Sequence, residues 1–262
     1  MAYDYDGIEK WLSHSQQYHH SLSSAFTSSR AKRIKLSDLP RTTTIELFSD
    51  AEFKDAPLHF EKLVDGILEF ERGVKTISED SKAELNGIAI RADSMKLNDP
   101  DRYYQASDTD QSVDFAITLE PDSAMNTALS EVPDRSWNHS QDEILRSEPI
   151  CVNVETKSAS GNMTESEIQL GIWVSAQYLK LKELLTHNSK PLTLPWLPLL
   201  IVKGELWYLL LASHSNGITS KHLIADSSTL TGMYTVISVL QLLFQWANTE
   251  YRSWFKDNAV MP

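Results

Sequence analysis

The stretch Pro149-Ile-Cys-Val-Asn-Val-Glu-Thr-Lys157 decides the fold. Apolar and polar residues alternate along it, which is typical of a β-strand whose successive side chains point to opposite faces of a sheet. Residues two apart share a face, so Glu155 and Lys157 project together from one side of this strand. The pattern predicts either a functional site or an ordinary ion pair at the edge of a strand.

A second alternating stretch, Val113-Asp-Phe-Ala-Ile-Thr-Leu119, predicts a strand that carries Asp114. If the two strands are adjacent, Asp114 comes beside Glu155. Two carboxylates and a main-chain carbonyl, here that of Thr156, suit hard, oxygen-seeking Mg²⁺, or Mn²⁺. Such a metal ion lowers the pKa of a bound water and stabilises charge on phosphate oxygens. Lys157 would orient that water or stabilise the developing negative charge, so the set predicts a metal-dependent phosphodiesterase core.

The remaining periodicity predicts three helices, at residues 57–74, 164–187 and 230–255. Thr164-Glu-Ser-Glu167 has the form of a capping box and predicts Thr164 as the N-cap of the second helix. Shorter apolar runs predict a hairpin, residues 199–202 and 206–212 about Gly204, and a strand at 222–225. Residues 79–111 are charged and turn-rich, and residues 120–148 form a polar excursion between the two site strands.

Together these segments resemble the fungal PD-(D/E)XK nuclease-like domain family, over roughly residues 110–260. An isolated Glu-x-Lys carries little information, whereas the ordered set of segments is fairly specific. Besides the two strands, the matching segments are Gln169-Leu-Gly-Ile-Trp173, Leu194-Pro-Trp-Leu-Pro198, Lys203-Gly-Glu-Leu-Trp207 and Gly232-Met-Tyr234 to Trp254-Phe255.

The resemblance implies an α/β fold with a restriction-endonuclease-like αβββαβ core: a mixed central sheet flanked by helices, with an added long C-terminal helix. It implies metal ligation by Asp114 and Glu155, catalysis by Lys157, and a site-facing polar side chain at Gln169. Trp173 and Lys180 fall on the same side of that helix and are expected to border a substrate groove.

The activity implied is that of a nuclease, with DNA favoured over RNA as substrate. Such cores usually take a further acid from the first helix, for which the candidates are Glu84, Glu69 and Glu71. The alternative is a nuclease-like fold retained as a binding or regulatory module. It is favoured by the net charge of −12, which argues against broad attraction to nucleic acid, and by a short segment between Gly73 and Asp114.

Outside the core, residues 1–44 are predicted to be a flexible Ser/Thr/His-rich tail, followed by the nuclease-like domain at 45–262. In the tail, Arg30-Ala-Lys-Arg-Ile-Lys35 has four basic residues in six, which suits a nuclear-import signal and a solvated charge run equally well. The single cysteine, Cys151, excludes an intramolecular disulfide, and the start of the chain lacks the pattern of a secretory signal, so an intracellular location is expected. Histidines are expected in the tail or at the surface.

One uncharged stretch, Ser227 to Thr249, is long enough to cross a bilayer. Several Gln, Asn, Ser and Thr side chains interrupt it, and no basic cluster flanks it. We therefore expect a buried helix and no membrane association. The sequence carries no signal for oligomeric state.

Overall fold

Six strands form one mixed sheet in this computed structural model, which describes residues 88–96, 112–140, 142–214 and 217–260 together with Leu63 and Gly66. Their spatial order follows their order in the chain: β1 Ile88–Lys96, β2 Ser112–Leu119, β3 Ile150–Lys157, β4 Leu197–Lys203, β5 Leu206–Ser213 and β6 Gly217–Asp226. Strands β3 and β4 are parallel, and every other neighbouring pair is antiparallel. Parallel neighbours need a long crossover connection, and a helix supplies it here.

The helices, in chain order, are α1 Ser123–Ala128, α2 Glu143–Ser147, α3 Met163–His187, α4 Leu230–Trp246 and α5 Arg252–Phe255. The crossover helix α3 packs across β2, β3, β4 and β6, while α4 contacts β6. Leu63 and Gly66 are also helical, and the rest of the helix predicted at 57–74 lies outside the described residues. A Cβ at Gly66 would lie 3.0 Å from Cδ1 of Leu242, so Gly66 lies close against α4. The arrangement is an α/β fold of the restriction-endonuclease-like type with an added long C-terminal helix.

Strand β1 was not predicted from the sequence. It lies inside the charged segment 79–111, where Arg91 and Asp93 interrupt the apolar residues. Ile88, Ile90 and Ala92 nevertheless alternate, and a register shift between Ala92 and Met95 separates them from the end of the strand. Pairing with β2 is a tertiary interaction that a short, interrupted pattern does not reveal.

The excursion between β2 and β3 is better ordered than its polar composition indicates. Trp137 and Leu145 are buried. The buried Asn138 side chain accepts a hydrogen bond from the Ile150 amide at 3.0 Å and donates to the Leu145 and Glu148 carbonyls. These bonds substitute for a regular backbone ladder and fix the start of β3.

The long crossover helix starts at Met163, and its N-cap is Asn162, two residues before the predicted cap. The Asn162 side chain accepts a hydrogen bond from the Thr164 amide at 3.0 Å, which leaves Thr164 inside the first turn. Glu167 does not complete a capping box. It is buried and forms an ion pair with Lys221 of β6 at 2.8 Å. The prediction of Thr164 as the N-cap is therefore wrong, because a better-placed amide oxygen precedes it.

The hairpin about Gly204 is confirmed, and β6 is longer than the predicted strand at 222–225. The turn requires glycine, since Gly204 has φ +57° and a Cβ there would lie 3.0 Å from that of Ala159.

Within the described residues, Leu230–Val260 is the one helical run long and apolar enough to span a membrane. It consists of α4, a π-helical turn at Ala247–Tyr251, α5 and a second π-helical turn at Lys256–Val260. One side of α4 is buried through residues such as Val239 and Leu243, whereas Leu230, Tyr234 and Ile237 are exposed. The predicted buried helix is thus buried on one side only.

Candidate active site

Antiparallel pairing of β2 with β3 brings the two predicted acids together. Phe115 pairs with Val154, so the next position along each strand sets Asp114 opposite Glu155. Directly opposed residues have their side chains on one face and their Cβ atoms about 5 Å apart. The face is the one that α3 covers.

Glu155 is the most unusual group in the site because its carboxylate is almost completely buried, with a relative exposure of 2%. Its Oε1 accepts a hydrogen bond from Nζ of Lys157 at 2.6 Å, while its Oε2 has no hydrogen-bond partner among the described residues. Burial raises the pKa of Glu155 to about 7, and repulsion from Asp114 adds to that effect, against the attraction of Lys157. The negative charge of Glu155 is therefore destabilised in the folded protein, and a bound cation would stabilise it.

Lys157 is fixed by two acceptors. Its Nζ donates to Oε1 of Glu155 and, at 2.7 Å, to Oε1 of Gln169 on α3. The structure thus brings Gln169 to the predicted position beside the lysine. With 23% of its side chain exposed, the Lys157 ammonium lies between the buried carboxylate and solvent.

Asp114 is held by the residue that separates Glu155 from Lys157. Its Oδ2 accepts hydrogen bonds from the Thr156 amide at 2.8 Å and from the Thr156 hydroxyl at 2.6 Å. The Asp114 carboxylate therefore binds the main-chain amide of Thr156 at the point where the pairing of β3 with β2 ends. The sequence pattern predicts a role for the main-chain carbonyl of Thr156 only and does not indicate this role of its side chain.

A buried polar ladder continues from the site along α3. Asn153 donates to Oε1 of Gln177 at 2.7 Å and accepts from the Trp173 indole at 2.8 Å, and Gln177 donates in turn to the Ile150 carbonyl. Gln169, Trp173 and Gln177 are four residues apart on the helix and so share one face. The ladder fixes α3 against β3 and thereby places Gln169 against Lys157.

Two predictions about this region are wrong. Trp173 and Lys180 do not border a groove: both are buried, Trp173 edge-on against His139 at 4.4 Å between ring centroids, and Lys180 donating to the Pro133 carbonyl at 3.1 Å. His139 itself is not a surface residue, and burial lowers its pKa to about 3, so it is neutral. Residues of the segment between β2 and β3 cover this side of α3. The polar composition of that segment did not indicate that it would be packed there.

Cys151 is buried on β3, and its thiol donates to the Ile117 carbonyl at 3.0 Å. Burial raises the pKa of this thiol well above its usual range, which excludes a reactive thiolate at neutral pH.

The two carboxylates fit a divalent cation. Oε2 of Glu155, which has no hydrogen-bond partner among the described residues, lies buried beside a second carboxylate. A cation there would offset both the burial of charge and the mutual repulsion. No group of three or more His, Cys, Asp or Glu side chains is placed to hold a metal within the described part of the chain. The candidates for the further acid, Glu84, Glu69 and Glu71, lie outside that part.

A family model described as the PD-(D/E)XK nuclease superfamily matches residues 14–252. The chain belongs to this superfamily. The match confirms the resemblance at the level of this superfamily. It begins well before residue 110, inside the segment predicted to be a tail, and it ends at residue 252. That segment and its basic cluster Arg30 to Lys35 lie outside the described residues, so the domain boundary at residue 45 stays a prediction. Searches of curated proteins and of solved structures gave no match.

Membership of the PD-(D/E)XK superfamily gives the site a consistent interpretation. The fold brings together Asp114, Glu155 and Lys157, the residues predicted for the site, from two adjacent strands. Proteins of this superfamily generally use divalent metal ions, and the fold is that of nucleases.

Proposed function

We propose that this protein is a divalent-metal-dependent nuclease that hydrolyses phosphodiester bonds in DNA. The observation that carries the proposal is the buried Glu155 carboxylate, which has one oxygen on Lys157 and the other without a partner among the described residues, opposite Asp114. Asp114 and Glu155, with the main-chain carbonyl of Thr156, would hold Mg²⁺ or Mn²⁺. A bound metal ion supplies charge stabilisation on the phosphate oxygens and acidifies a water molecule.

The side chains of Thr156, Lys157 and Gln169 would have separate roles beside the metal ion. Thr156 occupies one oxygen of Asp114 and leaves Oδ1 for the cation. Lys157 is positioned by Gln169 to stabilise negative charge on the phosphate or to orient the attacking water. With a divalent cation held by Asp114 and Glu155, the Lys157 ammonium would no longer be needed to balance Glu155 and would be available to the substrate phosphate.

Plasmid cleavage tests the proposal. Full-length protein is incubated with supercoiled plasmid in Mg²⁺, in Mn²⁺ and in EDTA, beside Lys157→Ala and Asp114→Asn. The asparagine keeps an acceptor for Thr156, so this variant retains the fold while losing the ligand charge. Nicking that requires metal and falls at least a hundredfold in both variants supports the proposal, whereas nicking unchanged by both substitutions refutes it.

A second candidate, a nuclease-like fold that binds without cutting, is favoured by one observation. The charge of Lys157 is already neutralised by Glu155 at 2.6 Å. A stable ion pair of this kind leaves neither side chain available to a metal ion or a phosphate. In that case EDTA and Mg²⁺ give the same nucleic-acid affinity and no cleavage. A metal-dependent product would eliminate this candidate.

A further inference from the structure

Next to the site, strand β4 carries a second lysine, Lys203, whose charge is not balanced by any of the described residues. Lys203 pairs in register with Lys157 across the parallel β3–β4 ladder, so the two share a face about 5 Å apart. The amide of Gly204 donates to the Lys157 carbonyl at 2.8 Å and fixes this junction. Lys203 is half-buried, and it makes no hydrogen bond or ion pair with the described residues.

The same face continues across β5 and β6 with an aromatic and an aliphatic side chain. Tyr208 pairs with Ile201, which pairs with Glu155, and Leu223 pairs with Tyr208. Opposed residues share a face, so Tyr208 and Leu223 lie on the face of Glu155. Leu223 is 48% exposed and Tyr208 is half-buried. Lys203, Tyr208 and Leu223 together form a surface on this face of the sheet, the platform.

The start of α3 limits the platform on its far side. There Lys221 of β6 is engaged by Glu167 of the first turn of α3, so its charge is already balanced. The platform therefore offers an apolar surface and one cation, Lys203, that is unpaired among the described residues. It runs from Lys157 over three strand spacings, or about 15 Å. Glu205 and Asp226 border it at the strand ends.

This chemistry fits an unpaired nucleic-acid strand better than a duplex. A duplex presents mainly phosphates and is bound by many cations, which this chain of net charge −12 does not offer here. A single strand also presents base faces, and stacking of bases on aromatic side chains binds it without added charge. We propose that an unpaired strand crosses the platform, with Lys203 on a phosphate beside the one to be cut and Tyr208 against a base.

This inference rests on the proposed nuclease function, since it places the strand that the site would cut. Binding is measured separately from cutting, by fluorescence anisotropy of a labelled oligothymidine and of a hairpin duplex of equal length in EDTA. The variants are Tyr208→Ala with Tyr208→Phe as its control, and Lys203→Ala with the exposed Lys182→Ala as a charge-matched control. Circular dichroism verifies that each variant is folded.

We expect the full-length protein to bind the single strand at least tenfold more tightly than the duplex. Tyr208→Ala should weaken single-strand binding about tenfold and Tyr208→Phe should not. Lys203→Ala should also weaken it and lower the slope of log affinity against log salt by about 0.7, the value for one phosphate contact on a single strand, with Lys182→Ala unchanged.

Equal affinity for the two probes, or unchanged binding by both Tyr208→Ala and Lys203→Ala, overturns the platform. If those variants bind normally while cleavage still needs Lys157, the platform is wrong and the nuclease function stands. If binding depends on Tyr208 but no cleavage occurs in Mg²⁺ or Mn²⁺, the platform stands and the nuclease function is wrong.

Discussion

Replacement of Glu155 by glutamine should make the protein more stable at alkaline pH. In the folded protein the pKa of Glu155 is about 7, against an ordinary value of 4.5. A raised carboxyl pKa means that the folded state loses stability relative to the unfolded state as pH rises from about 4.5 to about 7. The loss amounts to about 1 kcal/mol at pH 5 and about 3 kcal/mol at pH 8.

Glutamine does not ionise, so Glu155→Gln lacks this loss and keeps an acceptor for Lys157. At pH 5 the folded natural protein has Glu155 protonated, so neither protein has the ion pair with Lys157. At pH 8 only the natural protein has it, and the pKa of about 7 already includes the attraction of Lys157. The free energy of unfolding of the variant relative to the natural protein should therefore rise by about 2 kcal/mol between pH 5 and pH 8.

Urea unfolding of both proteins in EDTA, at pH 5 and pH 8, measures this difference. EDTA is needed because a bound cation would stabilise the natural protein at pH 8 and hide the effect. A variant whose relative stability is the same at the two pH values, or falls towards pH 8, would show that Glu155 does not carry a strained buried charge.

Three further substitutions test individual contacts by urea unfolding. Thr156→Val should lower stability by about 1 to 2 kcal/mol because it removes the hydroxyl donor to Asp114, and Thr156→Ser should recover most of the loss; equal effects would contradict the contact. Asn162→Ala should cost about 1 kcal/mol as loss of the true N-cap, whereas Thr164→Ala should cost only a few tenths, and the opposite order would restore Thr164 as the cap. Gly204→Ala should cost about 1 kcal/mol or more because φ is +57° and Ala159 lies close, and a neutral result would show that the turn relaxes freely.

Strong alternation and helical periodicity made much of the fold predictable. Val113 to Leu119 and Pro149 to Lys157 are long, regular strand patterns, and their paired acids followed once the strands were taken as neighbours. Crossover helix α3 was equally clear, because its apolar residues occupy most of its circumference. Local patterns of this kind are consistent with the final fold, which is why they can be recognised in the sequence.

The parts that failed depend on tertiary partners. Strand β1 is short, carries Arg91 and Asp93, and becomes a strand by pairing with β2. The buried positions of Trp173 and Lys180 follow from the cover supplied by residues 133–139, which include His139. This segment is ordered by specific bonds such as those of the Asn138 side chain, which composition does not reveal. Registers are also unreadable from one sequence, so the juxtaposition of Lys203 with Lys157 could not be predicted.

The central claim is that Asp114 and Glu155 form one divalent-metal site, and calorimetric titration with Mn²⁺ at pH 8 tests it most directly. Glu155→Gln and Asp114→Asn keep the hydrogen-bonding shapes of the natural side chains and remove only their charges. We predict one Mn²⁺ bound per chain in the natural protein and at least a tenfold loss of affinity in each variant. Mn²⁺ binding of undiminished affinity in both variants, or none in the natural protein, would contradict the account.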